Sequence, residues 1–129
     1  MAILSIDFGL RRVGLAISVD SLAQPLGVVR NSPGLIKQLV TICQKNKIEK
    51  VVIGLPEGKL VKEIKEFARQ LESVINLPVD FQDESLTTQE ALSKMIKSGK
   101  KRKTRQEKQD SFAAALILQR YLERRKRNV

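Results

Sequence analysis

Residues 51–55, which read VVIGL, are apolar at every position. Because successive side chains of a strand point to opposite faces, an unbroken apolar run of this length is typical of a strand buried on both sides. Such a strand lies in a sheet that is covered by helices on both faces. This segment therefore predicts an α/β fold.

The segments on either side of this run alternate between strand and helix patterns. Residues 2–7 and 13–18 are predicted to form a hairpin, and a third strand over residues 26–30 is expected after a turn at Gln24 and Pro25. A helix with Ser32 as N-cap, the strand at 51–55, a helix over residues 60–75 and a strand over residues 79–82 follow. Two more helices complete the pattern, one between Thr87 and Gly99 and one from Thr104 to about residue 125. The first three strands should be antiparallel, and the last two should run parallel to the first.

Length and composition limit the class of protein. A chain of 129 residues is the size of one domain, and its 42% hydrophobic content is that of a globular protein. The apolar runs are too short to span a membrane, and the first residues do not resemble a secretory signal. One cysteine, Cys43, allows no disulfide within the chain. These features predict a cytoplasmic protein that does not bind a membrane.

The chain has no histidine, which removes many catalytic options. Pairs of serine or cysteine with histidine, imidazole general bases and histidine zinc sites are all excluded. Catalysis would have to rest on carboxylates, hydroxyl groups or lysines. A bound metal would need oxygen ligands, which favours Mg²⁺ or Mn²⁺.

The net charge of +10 is concentrated at the C-terminal end. Residues 94–129 carry 13 basic and 3 acidic side chains, whereas the basic and acidic side chains of residues 1–93 balance. A basic region of this kind attracts polyanions through phosphate contacts and counterion release. A solvated basic helix with a frayed tail is the alternative.

Three acidic residues lie in otherwise apolar surroundings: Asp7 ends the first strand, Glu84 follows the last strand, and Asp110 lies in the last helix. Ala114, Ile117 and Tyr121 follow Asp110 at helical spacing, so Asp110 is expected on the core-facing side of its helix. The carboxyl ends of parallel strands meet at the edge of a sheet where α/β proteins bind ligands. The three carboxylates would converge there and suit two Mg²⁺ ions about 4 Å apart, as in phosphodiester hydrolysis.

Other readings of these residues stay open. Each acid taken alone is more often a turn residue or a solvated side chain. Asp7, Gly9 and Gly14 also have the spacing of the phosphate-binding hairpin of actin-like ATPases. The scarcity of aromatic residues argues against a platform for stacking bases.

Four ordered segments resemble the YqgF family of RuvC-like proteins with an RNase H-like fold. The segments are Asp7-Phe8-Gly9-x-x-Arg12-x-Gly14-Leu15-Ala16, Val52-Ile53-Gly54-Leu55-Pro56, Asp83-Glu84-x-Leu86-Thr87-Thr88 and Asp110-Ser111-x-Ala113-Ala114-x-x-Ile117-Leu118-Gln119-x-Tyr121-Leu122. The resemblance implies one RNase H-like domain over residues 1–129, with a five-stranded mixed sheet in the order 3-2-1-4-5. It also places the catalytic and metal-binding acids of the family at Asp7, Glu84 and Asp110. Ser85 stands where the family usually has arginine. Glu57, after the fourth strand, is the alternative third metal ligand if Glu84 points away from the site.

The resemblance implies a metal-dependent nuclease acting on structured nucleic acid. Processing of the 5′ end of pre-16S ribosomal RNA is the first expectation, and cleavage of Holliday junction DNA or an inactive RNA-binding module of ribosome assembly are the alternatives. A monomer is expected, with a dimer as the alternative. The expected phosphate-binding residues are Arg12 and a basic loop containing Lys100, Lys101, Arg102, Lys103 and Arg105.

Overall fold

The structure is a computed structural model that describes the backbone of residues 2–83 and 102–127 and the side chains of residues 2–83 and 109–125. Its elements are, in chain order, β1 (Ala2–Phe8), β2 (Arg12–Val19), β3 (Leu22–Arg30), α1 (Leu35–Lys45), β4 (Ile48–Leu55), α2 (Val61–Ile75), β5 (Val79–Asp83) and α3 (Arg102–Arg127). The helix predicted between Thr87 and Gly99 lies outside the described residues, as do Glu84, Ser85, Lys100 and Lys101.

The strands form one sheet in the order β3-β2-β1-β4-β5. The β1 strand pairs antiparallel with β2 and parallel with β4, while β3 is antiparallel to β2 and β5 is parallel to β4. The predicted strand order and directions are therefore confirmed. Because β1, β4 and β5 are parallel, their carboxyl ends lie at the same edge of the sheet.

The β4 strand is buried on both faces, as the apolar run predicted. Val51 and Ile53 belong to the core under α1 and α2, whereas Val52 belongs to a second core under α3. The helices α1 and α2 bury apolar stripes against the sheet: Leu35, Leu39 and Cys43 from α1, and Ile64, Phe67, Ala68 and Leu71 from α2. None of the described helices is long and apolar enough to cross a membrane.

The third strand begins earlier than predicted. The turn after β2 lies at Asp20, whose φ of 57° is left-handed, and β3 starts at Leu22 rather than after Pro25. Pro25 lies inside the strand, opposite Ala16, next to a register shift. The prediction of a turn at Pro25 was wrong because β3 is an edge strand, where a residue without an N–H group is tolerated.

The starts of two helices also differ from the predictions. Ser32 is not the N-cap of α1: the helix follows Gly34, which makes no side-chain cap, while the Ser32 carbonyl accepts the N–H of Leu35 at 3.0 Å. The last helix begins at Arg102, before the predicted cap at Thr104. Lysine and arginine have a high helix propensity, which explains why the helix extends into the predicted loop. The residues Arg102, Lys103 and Arg105 therefore belong to α3.

Candidate active site

Asp7 lies near the end of β1, on the side of the sheet covered by α3. Two residues earlier, the Ser5 hydroxyl donates a hydrogen bond to the carbonyl oxygen of Ala114 in α3, with an Oγ–O distance of 2.6 Å. Four residues earlier, Ile3 packs in the core under α3. Because alternate residues of a strand share a face, Asp7 lies on that face as well. It is at the carboxyl edge of the central strand.

Asp110 reaches the same place from α3, through a close contact between the helix and the sheet. Gly14 of β2 is the register partner of Asp7. A Cβ atom added to Gly14 would lie 2.0 Å from the backbone oxygen of Asp110, so the helix rests directly on the glycine backbone. Asp7 lies beside Gly14 on the adjacent strand, and Asp110 lies over Gly14 on α3. The two aspartates are therefore neighbours. The core-facing stripe predicted for Asp110 is confirmed, since Ala114 and Tyr121 are buried.

An arginine compensates the charge of Asp110. The Nε atom of Arg12 donates a hydrogen bond to Oδ2 of Asp110 at 2.7 Å, and the aspartate side chain is only 22% exposed. A carboxylate that is largely removed from water loses hydration, and a cation or several hydrogen bonds offset that cost. Arg12, expected from the sequence to contact nucleic acid, thus holds a site carboxylate in this structure.

Two further arginines lie at this edge, and sequence reasoning missed both. Arg30, at the end of β3, is the register partner of Arg12, and it is exposed. Arg11 is also exposed, and its carbonyl oxygen accepts the backbone N–H of Asn31 at 2.9 Å. Eighteen residues separate Arg12 from Arg30, so only the pairing of β2 with β3 brings them together. A hairpin register derived from the sequence could have shown it, but the misplaced turn at Pro25 hid it.

The turn between β1 and β2 is held to the end of β3. The Nδ2 atom of Asn31 donates to the carbonyl oxygen of Gly9 at 2.7 Å. A Cβ atom at Gly9 would lie 2.5 Å from the carbonyl oxygen of Arg12, so the turn requires glycine. The glycines of the first motif therefore have packing roles: Gly9 permits the turn, and Gly14 seats α3.

The remaining predicted residues are spread around this edge. Glu57 lies past the end of β4 and is exposed. The residues Arg102, Lys103 and Arg105 occupy the first turns of α3, on the N-terminal side of Asp110, and their side chains lie outside the described part. The structure thus brings Asp7, Asp110 and Arg12 together, while Glu84, Lys100 and Lys101 lie outside the described residues.

The donor atoms at this edge are carboxylate oxygens, which are the ligands that Mg²⁺ and Mn²⁺ prefer. Within residues 2–83 and 109–125 there is no group of three or more acidic, histidine or cysteine side chains that could hold a metal. Asp7 and Asp110 bring two carboxylates to this edge, and Glu84, the third acid expected from the sequence, lies outside the described residues. The chemistry of the donors fits a hard divalent cation.

A cleft of about 520 Å³ opens on the opposite side of the sheet, beside Phe8. Its lining includes the apolar residues Pro33, Ile36 and Phe67 and the charged residues Lys62, Glu63 and Glu66. Because Phe67 belongs to the core under α1 and α2, the cleft lies across the sheet from the arginine-rich edge.

Sheet order, flanking helices and the carboxylate-bearing edge define an RNase H-like fold of the resolvase type. The structure is similar to Thermus thermophilus RuvC in complex with a Holliday junction substrate, with a TM-score of 0.64, 17% sequence identity and coverage of 100% of this chain and 98% of RuvC. It is also similar to the fowlpox virus Holliday junction resolvase, with a TM-score of 0.58, 13% identity and coverage of 96% and 99%. At these identities the similarity shows the fold alone.

Sequence similarity identifies the family within this fold. Residues 1–124 match the model of the RuvX Holliday junction resolvase family, which is the YqgF family, and the chain belongs to it. A relative from Dictyoglomus thermophilum is 35% identical over 133 residues, which cover 95% of this chain and 96% of the relative. A relative from Syntrophus aciditrophicus is 38% identical over 136 residues, which cover 95% and 89%. Both relatives carry the name "putative pre-16S rRNA nuclease".

Proposed function

We propose that this protein is a metal-dependent nuclease that hydrolyses phosphodiester bonds of structured RNA, with the 5′ end of pre-16S ribosomal RNA as its substrate. One observation carries the proposal: β1 and α3 bring Asp7 and Asp110 together at Gly14, beside Arg12. The RuvX family and the names of the relatives support a nuclease and favour pre-16S RNA.

Asp7, Asp110 and Glu84 are the carboxylates that would hold Mg²⁺ or Mn²⁺ in this site. Two ions bound there would activate the attacking water and stabilise the leaving oxygen. The chain keeps Asp7 and Asp110 in place by packing: Asp7 lies on the central strand, and Asp110 lies on a helix that rests on backbone atoms of β2. Groups held on rigid elements can meet the geometry that phosphoryl chemistry requires.

The basic residues of the site bind the RNA backbone and do not select its sequence. Arginine and lysine contacts to phosphates position a nucleic acid, whereas recognition of sequence needs contacts to the bases. Arg12 contacts Asp110 directly, and the basic segment of Lys100, Lys101, Arg102, Lys103 and Arg105 precedes Asp110 by five to ten residues in the sequence. They would draw a phosphate backbone across the carboxylates.

The proposal is tested with the variant Asp7→Asn. Asparagine keeps the shape of aspartate but removes the charge that a divalent cation needs, so cleavage should fall by several powers of ten. The rate of cleavage of a pre-16S RNA fragment with Mg²⁺ or Mn²⁺ measures this loss, and Mn²⁺ binding followed by electron paramagnetic resonance should weaken as well. Wild-type rates in Asp7→Asn would contradict the proposed site.

Asp20→Asn is a matched control for the same chemical change. Asp20 lies in the exposed turn between β2 and β3 with a φ of 57°, a conformation that asparagine tolerates. Its cleavage rate and Mn²⁺ binding should equal those of the wild type. A protein that binds the RNA but cleaves nothing with either metal would instead be an RNA-binding module.

Cleavage of a synthetic Holliday junction is the second candidate activity, favoured by the match of residues 1–124 to the RuvX Holliday junction resolvase family. Resolution cuts two strands symmetrically and therefore requires two active sites, usually in a dimer. We propose a monomer that acts on RNA. Light scattering at micromolar concentration, together with a direct comparison of RNA and junction substrates, distinguishes the two activities.

A further inference from the structure

We infer that Arg12 and Arg30 form a clamp for one phosphate of the substrate backbone, next to the carboxylates of the site. The inference rests on the proposed nuclease function and adds to it a positioning residue, Arg30. Its basis is the juxtaposition of the two arginines across β2 and β3.

The two side chains emerge from the same face of the sheet. Directly paired residues of antiparallel strands have Cβ atoms about 5 Å apart and point the same way. Arg12 points to the face of α3, because its Nε atom contacts Asp110 of that helix. Arg30, as its partner, lies on that face too.

The pairing of two arginines has an electrostatic cost, and among the described residues only the charge of Arg12 is offset. Like charges directly opposite each other destabilise a pair of strands. Asp110 offsets the charge of Arg12, with the Arg12 side chain 36% exposed. Arg30 is exposed, and no ion pair joins it to any residue among those the structure describes. An anion bound between the two guanidinium groups would supply the missing negative charge.

Phosphate is the anion that this pair fits. A guanidinium group presents its N–H donors in a planar fork that matches two phosphate oxygens, and two such groups can hold one phosphate from two sides. The pair contains no aromatic or apolar surface that would select a base. The expected ligand is therefore the backbone of the nucleic acid.

The position of the pair explains what the clamp does. The Nε atom of Arg12 lies 2.7 Å from Oδ2 of Asp110, and Asp110 rests on Gly14, the register partner of Asp7. A phosphate held by the two arginines would therefore lie beside the carboxylates. The clamp would hold the phosphate next to the one that is cut and so fix the register of the strand over the carboxylates.

The test measures RNA binding without cleavage. A fluorescently labelled fragment of the pre-16S 5′ region is titrated in EDTA at several salt concentrations with wild-type protein, Arg30→Gln and Arg30→Lys. Arg30→Gln should bind roughly threefold to tenfold more weakly. The slope of log affinity against log salt should decrease by about 0.7 to 0.9, the contribution of one phosphate contact. Arg30→Lys should keep the slope and recover part of the affinity, since it keeps the charge but loses the fork.

The melting temperature separates the clamp from a structural role. Arg30→Gln should melt at the wild-type temperature or slightly above it, because the repulsion from Arg12 is removed. Lys65→Gln is the control: it removes one exposed positive charge from α2, on the other face of the sheet, and should bind RNA like the wild type. A marked fall in the melting temperature of Arg30→Gln would show a structural residue and overturn the clamp.

Two further outcomes distinguish this inference from the proposed function. If the wild type cleaves the RNA and Arg30→Gln binds as tightly as Lys65→Gln, the clamp is wrong and the nuclease stands. If the wild type neither binds nor cleaves the RNA, the proposed function fails and the clamp fails with it. A third outcome would be that inorganic phosphate raises the melting temperature of the wild type while Arg30→Gln has no effect on RNA binding. The pair would then bind only free anions, and the clamp would be overturned.

Discussion

The face of the sheet under α1 and α2 and the face under α3 are packed with different kinds of side chain. The first contains large aliphatic residues and the ring contact between Phe8 and Phe67, whose centroids are 4.7 Å apart. The second combines aliphatic residues and Tyr121 with three alanines, Ala16, Ala114 and Ala115, and with polar contacts. On that face Ser18 accepts the N–H of Ile3 at 2.8 Å, and the hydroxyl of Tyr121 accepts a hydrogen bond from Lys50 at 2.7 Å.

The two faces therefore contribute differently to the stability of the fold and to the candidate site. Large apolar side chains bury the most area and contribute most to folding. Small residues let α3 approach the sheet until backbone atoms touch, which brings a helix carboxylate next to a strand carboxylate. The α3 face therefore carries the site, and the face under α1 and α2 supports the sheet that positions it.

Gly14→Ala should have the largest effect, because it disrupts the backbone contact between Gly14 and Asp110 that seats α3 on the sheet. The new methyl group would lie 2.0 Å from the Asp110 oxygen, so the helix would have to move by more than 1 Å. Overpacking of this kind costs about 3 kcal/mol of unfolding free energy. The displaced carboxylate should lower the cleavage rate about 100-fold or more. Urea unfolding and cleavage kinetics measure the two losses.

Gly34→Ala is the matched control for that change. A Cβ atom at Gly34 meets nothing within 4 Å, and the residue has an ordinary φ of −90°. Both the unfolding free energy and the cleavage rate should stay near the wild-type values. Equal behaviour of Gly14→Ala and Gly34→Ala would show that α3 does not depend on the close contact.

Leu39→Ala tests the other face. Leu39 is fully buried in the core under α1 and α2, so its truncation should lower the unfolding free energy by about 2 to 5 kcal/mol. The cleavage rate of the folded protein at low temperature should change little, because the site lies across the sheet. Thr41→Ala, on the exposed side of the same helix, should leave both quantities unchanged. A tenfold slower cleavage by folded Leu39→Ala would contradict the separation of the two faces.

The smallest expected effect concerns Cys43 and tests whether water is excluded from the core under α1 and α2. Burial raises the pKa of the Cys43 thiol from 9.0 to about 11. Between these values the unfolded chain loses its thiol proton while the folded protein keeps it, so rising pH favours unfolding. The contribution to the unfolding free energy is complete below pH 9 and lost as the pH rises through 11, and it amounts to at most about 3 kcal/mol.

The comparison with Cys43→Ala isolates this contribution. The variant should be less stable than the wild type at pH 8, and the difference in unfolding free energy should shrink as the pH approaches 11. Urea titrations of both proteins at pH 8 and pH 10.5 measure it. A difference that stays constant with pH would mean that the thiol is hydrated in the folded protein.

Periodicity in the sequence predicts the layers of the fold and one half of the site. The apolar run of β4, the stripes of α1 and α2, and the place of Asp110 on the core side of its helix all follow from periodicity, which burial imposes locally. Asp7 could be placed at the carboxyl edge because strand directions follow from crossover connections. The strand order itself came from the family resemblance.

Which distant residues meet depends on how the strands and helices pair and pack. The pairing of Arg12 with Arg30 depends on the register of β2 and β3, and that register depends on a turn at Asp20 that the sequence pattern did not reveal. The ion pair of Arg12 with Asp110 joins residues 98 positions apart. Local patterns report which side of an element is buried, because burial acts on each segment separately. They do not report which side chains face each other across two elements, because that depends on where each element begins and how closely the elements pack.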